Sequence, residues 1–151
     1  MSSAIESAAP LPYSKLSEVE SLVARFESCM LPREEWTHRA HLTVALWYLV
    51  QHEEAEAEEL IRAGIQRFNH ASGILTTRTS GYHETITLFY IRVIRNYLRG
   101  ANASDSVFNL VNGLIETYGD RNLPFEYYSR ERLMSPGARM SWVEPDLKRL
   151  D

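Results

Sequence analysis

Residues 36–52 read WTHRAHLTVALWYLVQH, and they contain the most apolar segment of the chain. From Leu42 to Val50 nearly every position is apolar, so a helix formed here has almost no polar face. A helix that is apolar on all sides is a buried one. Thr37 stands just before it and is a residue type that caps helix starts. We therefore expect a helix from about Thr37 to about His52 at the centre of the fold.

Five further segments show helical spacing of apolar residues together with start or stop signals. They cover residues 16–29, 53–69, 82–99, 104–118 and 124–134. No segment alternates with period two for long enough to predict a strand. The sequence therefore predicts an all-α fold, a single compact helical domain of about six helices around the buried central one. We place this domain at residues 13–151, after a flexible N-terminal arm at residues 1–12.

Charge and the length of apolar runs argue against two classes of partner, nucleic acid and membrane. The 151 residues include 16 basic and 20 acidic side chains, with no basic cluster, whereas binding to nucleic acid requires concentrated lysine and arginine. No apolar run reaches the roughly 18 residues of a membrane span. Met1 to Pro12 lacks the basic start and apolar core of a secretory signal. We expect a cytoplasmic protein that binds neither nucleic acid nor membrane.

Three histidines stand at the starts of two apolar helices. His38 and His41 are three residues apart, hence on one helix face, and His83 occupies the first turn of a later helix beside Glu84. Neutral imidazole is a common metal ligand. We predict that His38, His41 and His83 form one cluster that holds a divalent transition metal ion such as Zn, Fe or Ni. Glu84 would act as base or as the group that orients the site.

The same residues also fit a metal-free site. His83 or His41 would then accept a proton as general base, and Glu84 or Tyr82 would orient the imidazole. The sequence lacks the His-Glu-x-x-His pattern of zinc proteases, which leaves the metal-bound and metal-free alternatives both open. A third interpretation is that the three histidines are buried and only hold the core together.

Six further side chains are predicted to shape a substrate pocket. Tyr48, Thr87 and Tyr90 follow the histidines by one or more helical turns and would form its floor. Trp36 and Arg78 stand in loops beside the predicted pocket. Trp36 would cover it as an aromatic lid, and Arg78 would bind an anion. The complete set is Trp36, Tyr48, Arg78, Tyr82, Thr87 and Tyr90.

Two motifs resemble those of a known group of proteins. The first is Trp36-Thr37-His38-x-x-His41-Leu42, and the second is SGYHETIT at residues 80–87. Together with Trp142 and Pro145 near the end of the chain, they resemble a group of small uncharacterised bacterial proteins. The resemblance covers most of the chain and implies a stand-alone helical domain. It implies no reaction, cofactor or catalytic residue.

Three functional hypotheses follow from the residues themselves. The first is an enzyme that acts on a small molecule through His38, His41, His83 and Glu84, with or without a metal ion. The second is a non-catalytic domain that binds a small ligand in the same pocket. The third is a homodimeric interaction protein whose histidines are structural.

Overall fold

The computed structural model describes residues 10–151, so residues 1–9 of the predicted arm lie outside the described residues. Within that range the chain forms five long α-helices, four shorter helical segments and no strand. The long helices are α1 (Leu16–Glu27), α2 (His38–Gln51), α3 (Glu54–Ala71), α4 (Glu84–Arg99) and α5 (Val107–Tyr118). The short ones are α6 (Arg130–Leu133), α7 (Pro136–Met140) and 3₁₀ helices at Arg33–Glu35 and Leu123–Glu126. None of these helices combines the length and the apolar character that crossing a membrane requires.

Helix α2 is the centre of the domain, as its composition predicts. It packs against all four of the other long helices, and half of its 14 residues are buried, including Leu42, Val44 and Leu46. The Thr37 hydroxyl accepts a hydrogen bond from the Ala40 N–H at 3.2 Å and so caps the helix start. The prediction of an all-α domain around a buried central helix is confirmed.

The chain is attached to the core from Tyr13 onward. The Tyr13 N–H donates to Asn112 Oδ1 at 2.8 Å, and the Tyr13 hydroxyl lies 2.8 Å from Thr43 Oγ1 on α2. Tyr13, Thr43 and Asn112 are all buried. Of the predicted arm, Pro10 to Pro12 precede this anchor and carry no helix.

Two predicted boundaries are wrong. Helix α5 begins at Val107 and not at residue 104, because the Ser106 hydroxyl caps it by accepting from the Asn109 N–H at 3.1 Å. The helix predicted at residues 124–134 is two elements, because Ser129 starts α6 anew by accepting from the Arg132 N–H. Tyr128 lies in the turn between them and is buried. The Tyr128 hydroxyl donates to the Val143 carbonyl at 2.7 Å.

Candidate functional site

A cavity of about 290 Å³ lies between α2, α3 and α4, beside the loop that follows α5. Its walls are mostly aliphatic and come from Leu42, Ala45, Ile61, Ile65, Ile86 and Ile91. Five polar side chains complete the lining: His38, His41, Thr87, Tyr90 and Arg121. A mostly apolar cavity with a few polar groups is the usual form of a small-molecule site.

His41 lines this cavity, and among residues 10–151 only its Nδ1 forms a hydrogen bond. Its Nδ1–H donates to the Thr37 carbonyl at 2.7 Å, which leaves Nε2 as the nitrogen that carries the lone pair. One face of the ring stacks on Trp36, with 3.8 Å between ring centroids. Burial lowers the pKa of His41 to about 4, and the Thr37 carbonyl offsets this only in part. His41 is therefore neutral at pH 7 and can accept a proton or a hydrogen bond.

His38 lines the same cavity one helical turn earlier. Its Nε2 is buried and has no hydrogen-bond partner among the described residues. The ring packs against Tyr90, with 4.9 Å between centroids. Burial lowers the pKa of His38, although the Tyr118 carbonyl and the Asp120 carboxylate act in the opposite direction. A buried polar atom without a partner costs stability, and such atoms are often explained by function.

His83 does not line this cavity, and its ring is committed to the backbone. It is the residue before the first turn of α4, where its Nδ1 accepts from the Ile86 N–H at 3.1 Å. Its Nε2–H donates to the buried Leu133 carbonyl of α6 at 2.7 Å. Burial lowers the pKa of His83. With both ring nitrogens in structural hydrogen bonds, His83 caps α4 and joins it to α6.

The structure therefore brings together two of the three predicted metal ligands. Within residues 10–151, no three His, Cys, Asp or Glu side chains are arranged to hold a metal ion. Among the described residues, the histidines that line the cavity and could bind a metal ion there are His38 and His41. Catalytic zinc sites usually have three protein ligands.

Glu84 pairs with Arg62 of α3 and does not orient His83. Its carboxylate accepts from Arg62 Nη2 at 2.7 Å and from Nε at 3.2 Å, in a two-point ion pair. The Tyr82 hydroxyl donates to the same carboxylate at 2.6 Å, and this contact together with burial raises the pKa of Tyr82. The Glu84 side chain is only 13% exposed. These residues join the start of α4 to α3.

Replacing Glu84 with glutamine should destabilise the fold by about 2 kcal/mol, because a two-point bond to a charged partner is lost. The free energy of unfolding from urea titration measures this. Glu59→Gln is the matched control, since Glu59 pairs with the same Arg62 but its side chain is 72% exposed. That exposed pair should contribute about 0.5 kcal/mol or less. Equal losses in the two variants would contradict a structural role specific to Glu84.

Thr87 and Tyr90 line the cavity, although His83, below which the sequence places them, does not, and Arg121 is a further lining residue that the sequence does not predict. Tyr90 donates to the Asp120 carbonyl at 3.3 Å, which ties α4 to the loop after α5. Arg121 is exposed at this loop. The only sequence signal for it is its position after Gly119-Asp120 at a helix end, where polar residues are common.

The other four predicted pocket residues lie outside the cavity lining. Tyr82 is one of them, because its hydroxyl is bonded to Glu84. The Trp36 ring stacks between the rings of His41 and Phe26, and the Trp36 and Phe26 ring centroids are 4.7 Å apart. The Tyr48 hydroxyl donates to Glu27 of α1 at 2.6 Å. Arg78 is exposed in the loop before α4 and lines a second cleft.

No protein-family model, no curated protein and no solved structure matches the chain.

Proposed function

We propose that the chain is an enzyme for a small, largely apolar molecule, with His41 as the general base. The observation that carries this proposal is a mostly aliphatic cavity lined by His38 and His41, neither of which forms a hydrogen bond through Nε2 to the described residues. A neutral imidazole held in one tautomer and one orientation is suited to accept a proton from a bound substrate.

The lining indicates the chemistry of the substrate. The cavity of about 290 Å³ is roughly twice the size of an engineered cavity that binds benzene. It therefore fits a molecule of about a dozen non-hydrogen atoms. The His41 nitrogen requires a hydrogen-bond donor or an acidic C–H group in the substrate. Arg121 attracts an anionic substituent at the edge of the cavity.

In the form that we propose, His41 accepts the proton without a metal ion. His83 and Glu84 have other partners, so the catalytic set reduces to His41, with His38 beside it. In the metal-dependent form, His38 and His41 would hold one Zn, Fe or Ni ion, and water or substrate would supply the remaining ligands. In the metal-dependent form, the described residues would therefore supply two ligands to the metal ion, His38 and His41.

A matched pair of small probes tests the site. Phenol carries a hydroxyl donor, whereas anisole has the same ring with that donor replaced by a methoxy group. Phenol should bind about tenfold more tightly than anisole because it can donate to His41 Nε2. Calorimetric titration of the whole chain measures both affinities.

The control variant for this test is His41→Leu, which keeps an apolar side chain against Trp36. The Thr37 carbonyl still accepts from the backbone N–H of residue 41, so the fold should persist. In this variant the two probes should bind equally. Equal binding of phenol and anisole to the unmodified chain, or binding of neither, would contradict the proposal.

The second hypothesis, a non-catalytic binding domain, predicts the same preference for phenol. It differs from the first in predicting no acceleration of proton transfer. The two are separated by a rate measurement and not by affinity.

A further inference from the structure

Arg139 is a buried cation that the proposed site does not use. It lies in α7 and is 5% exposed. Its Nη1 donates to the Gly81 carbonyl at 2.9 Å and to the Tyr82 carbonyl at 3.3 Å. Its Nε is buried and has no acceptor among the described residues. The Nε–H group of this guanidinium is thus a donor that the described part of the chain does not satisfy.

No carboxylate of the described residues forms an ion pair with Arg139. The adjoining segment, residues 72–83, reads SGILTTRTSGYH, and α7 reads PGARM, so neither contains Asp or Glu. Burial lowers the pKa of Arg139, and no opposing charge counters that effect. A buried charge that lacks a counter-ion is costly to a fold. An anion from outside the chain would relieve that cost.

A cleft gives such an anion access to Arg139. It has a volume of about 260 Å³ and is lined by Thr76, Thr77, Arg78, Pro136, Arg139 and Met140. Arg78, which the sequence predicts to bind an anion, therefore lines the same cleft as Arg139. The Thr77 hydroxyl lies 2.9 Å from Ser80 Oγ and accepts from the Thr79 and Ser80 N–H groups, which holds the loop in shape.

We propose that this cleft binds a phosphate-type oxyanion between Arg78 and Arg139. Two guanidinium groups without a nearby carboxylate suit an anion with several oxygens, because the planar fork of arginine matches phosphate geometry. Thr76 lines the same cleft, and its hydroxyl accepts from the Tyr82 N–H at 3.3 Å, which leaves its own proton for donation. Met140 and Pro136 form an apolar wall beside these groups. This site is separate from the His38–His41 cavity and does not depend on the function proposed for it.

Titration of the whole, isotope-labelled chain with inorganic phosphate tests the inference. NMR follows the Nε–H resonance of Arg139, and sodium chloride at equal ionic strength is the salt control. Phosphate should shift this resonance in a saturable way, whereas chloride should not. The same shift with both salts would overturn the proposal, because it would reflect ionic strength alone.

Variants then locate the site. Arg78→Ala should weaken phosphate binding at least fivefold, because one charge-assisted contact is lost. Arg78 is exposed, so the variant should fold. Arg33→Ala, at another exposed arginine, is the matched control and should bind phosphate as the unmodified chain does. Equal affinities in Arg78→Ala and Arg33→Ala would overturn the assignment.

The source of the anion is distinguished by a second ligand, phenyl phosphate. If the cleft binds the phosphoryl group of an organic molecule, the phenyl ring should contact Met140 and raise the affinity at least fivefold over inorganic phosphate. Equal affinities identify a site for free phosphate, which also supports the proposal. Binding of neither ligand would overturn it.

Discussion

Replacing His41 with leucine should lower general-base activity of the cavity by about 100-fold, the usual contribution of a positioned base. A suitable test reaction is the elimination of 5-nitrobenzisoxazole, a compact apolar molecule. The base removes the proton on carbon, the electrons of that C–H bond form a nitrile, and the N–O bond breaks to release a coloured phenolate. The unmodified chain should accelerate this reaction above the rate of free imidazole at equal concentration.

The pH dependence of that rate identifies the base. Only neutral imidazole accepts a proton, and burial lowers the pKa of His41 to about 4. The rate should therefore be constant as the pH falls from about 8 to about 5 and should be halved near pH 4. A midpoint close to the ordinary histidine value of about 6.5 would instead indicate an exposed imidazole as the base.

His70→Leu is the control for this experiment. His70 is exposed on α3 and is not one of the cavity residues, so its loss should leave the rate unchanged. If His70→Leu and His41→Leu lower the rate equally, the cavity is not the place of reaction. If the unmodified chain matches free imidazole while still binding phenol, the non-catalytic hypothesis is favoured.

Replacing His83 with alanine should destabilise the fold by about 3 kcal/mol. The variant loses the cap of α4, worth about 1 kcal/mol. It also leaves the buried Leu133 carbonyl without its donor, which costs about 1–3 kcal/mol. For a chain of this size the loss corresponds to a fall in melting temperature of about 9 °C. Thermal and urea unfolding measure the change.

A second variant separates the two roles of His83. Asparagine is among the best helix caps but is too short to reach Leu133, so His83→Asn should recover about 1 kcal/mol of the loss. Phenol binding should survive in both variants under conditions where they are folded. An alanine variant that keeps its stability but loses phenol binding would contradict the structural role and return His83 to the site.

The fold could be predicted because its main signal is local. The apolar segment 42–50 predicts a buried helix from its own composition. The periodic apolar positions of the other long helices likewise predict them without knowledge of distant contacts. The segment 124–134 could not be predicted because its break depends on distant partners. Ser129 binds the Asp146 carboxylate through both its N–H and its hydroxyl, 17 residues away in sequence.

The candidate site was predictable to the extent that it lies on one helix. His38 and His41 share a face of α2 by spacing alone, and that pair does line a cavity. The position of His83 relative to them depends on how α4 meets α6, and its partner Leu133 is 50 residues further along the chain. Glu84 was assigned to the wrong neighbour for the same reason, since Arg62 of α3 reaches it from another element.

The residues that were missed have no local signature. Arg121 and Arg139 resemble ordinary surface arginines in the sequence, and only the packing brings one to the cavity and buries the other. Arg78 was predicted to bind an anion at the histidine pocket. It lies instead in the cleft with Arg139. Its proposed ligand is still an anion, but the anion would bind in this cleft and not in the histidine pocket.

The most direct test of the central claim is to locate bound phenol by NMR of isoleucine methyl groups. Four isoleucines line the cavity, Ile61, Ile65, Ile86 and Ile91, whereas Ile74, Ile94 and Ile115 are not among its lining residues. Phenol should shift the methyl resonances of the first set in a saturable way and leave the second set unchanged, and His41→Leu should weaken that response. Shifts confined to the second set, or none at all, would show that the His38–His41 cavity is not a small-molecule site.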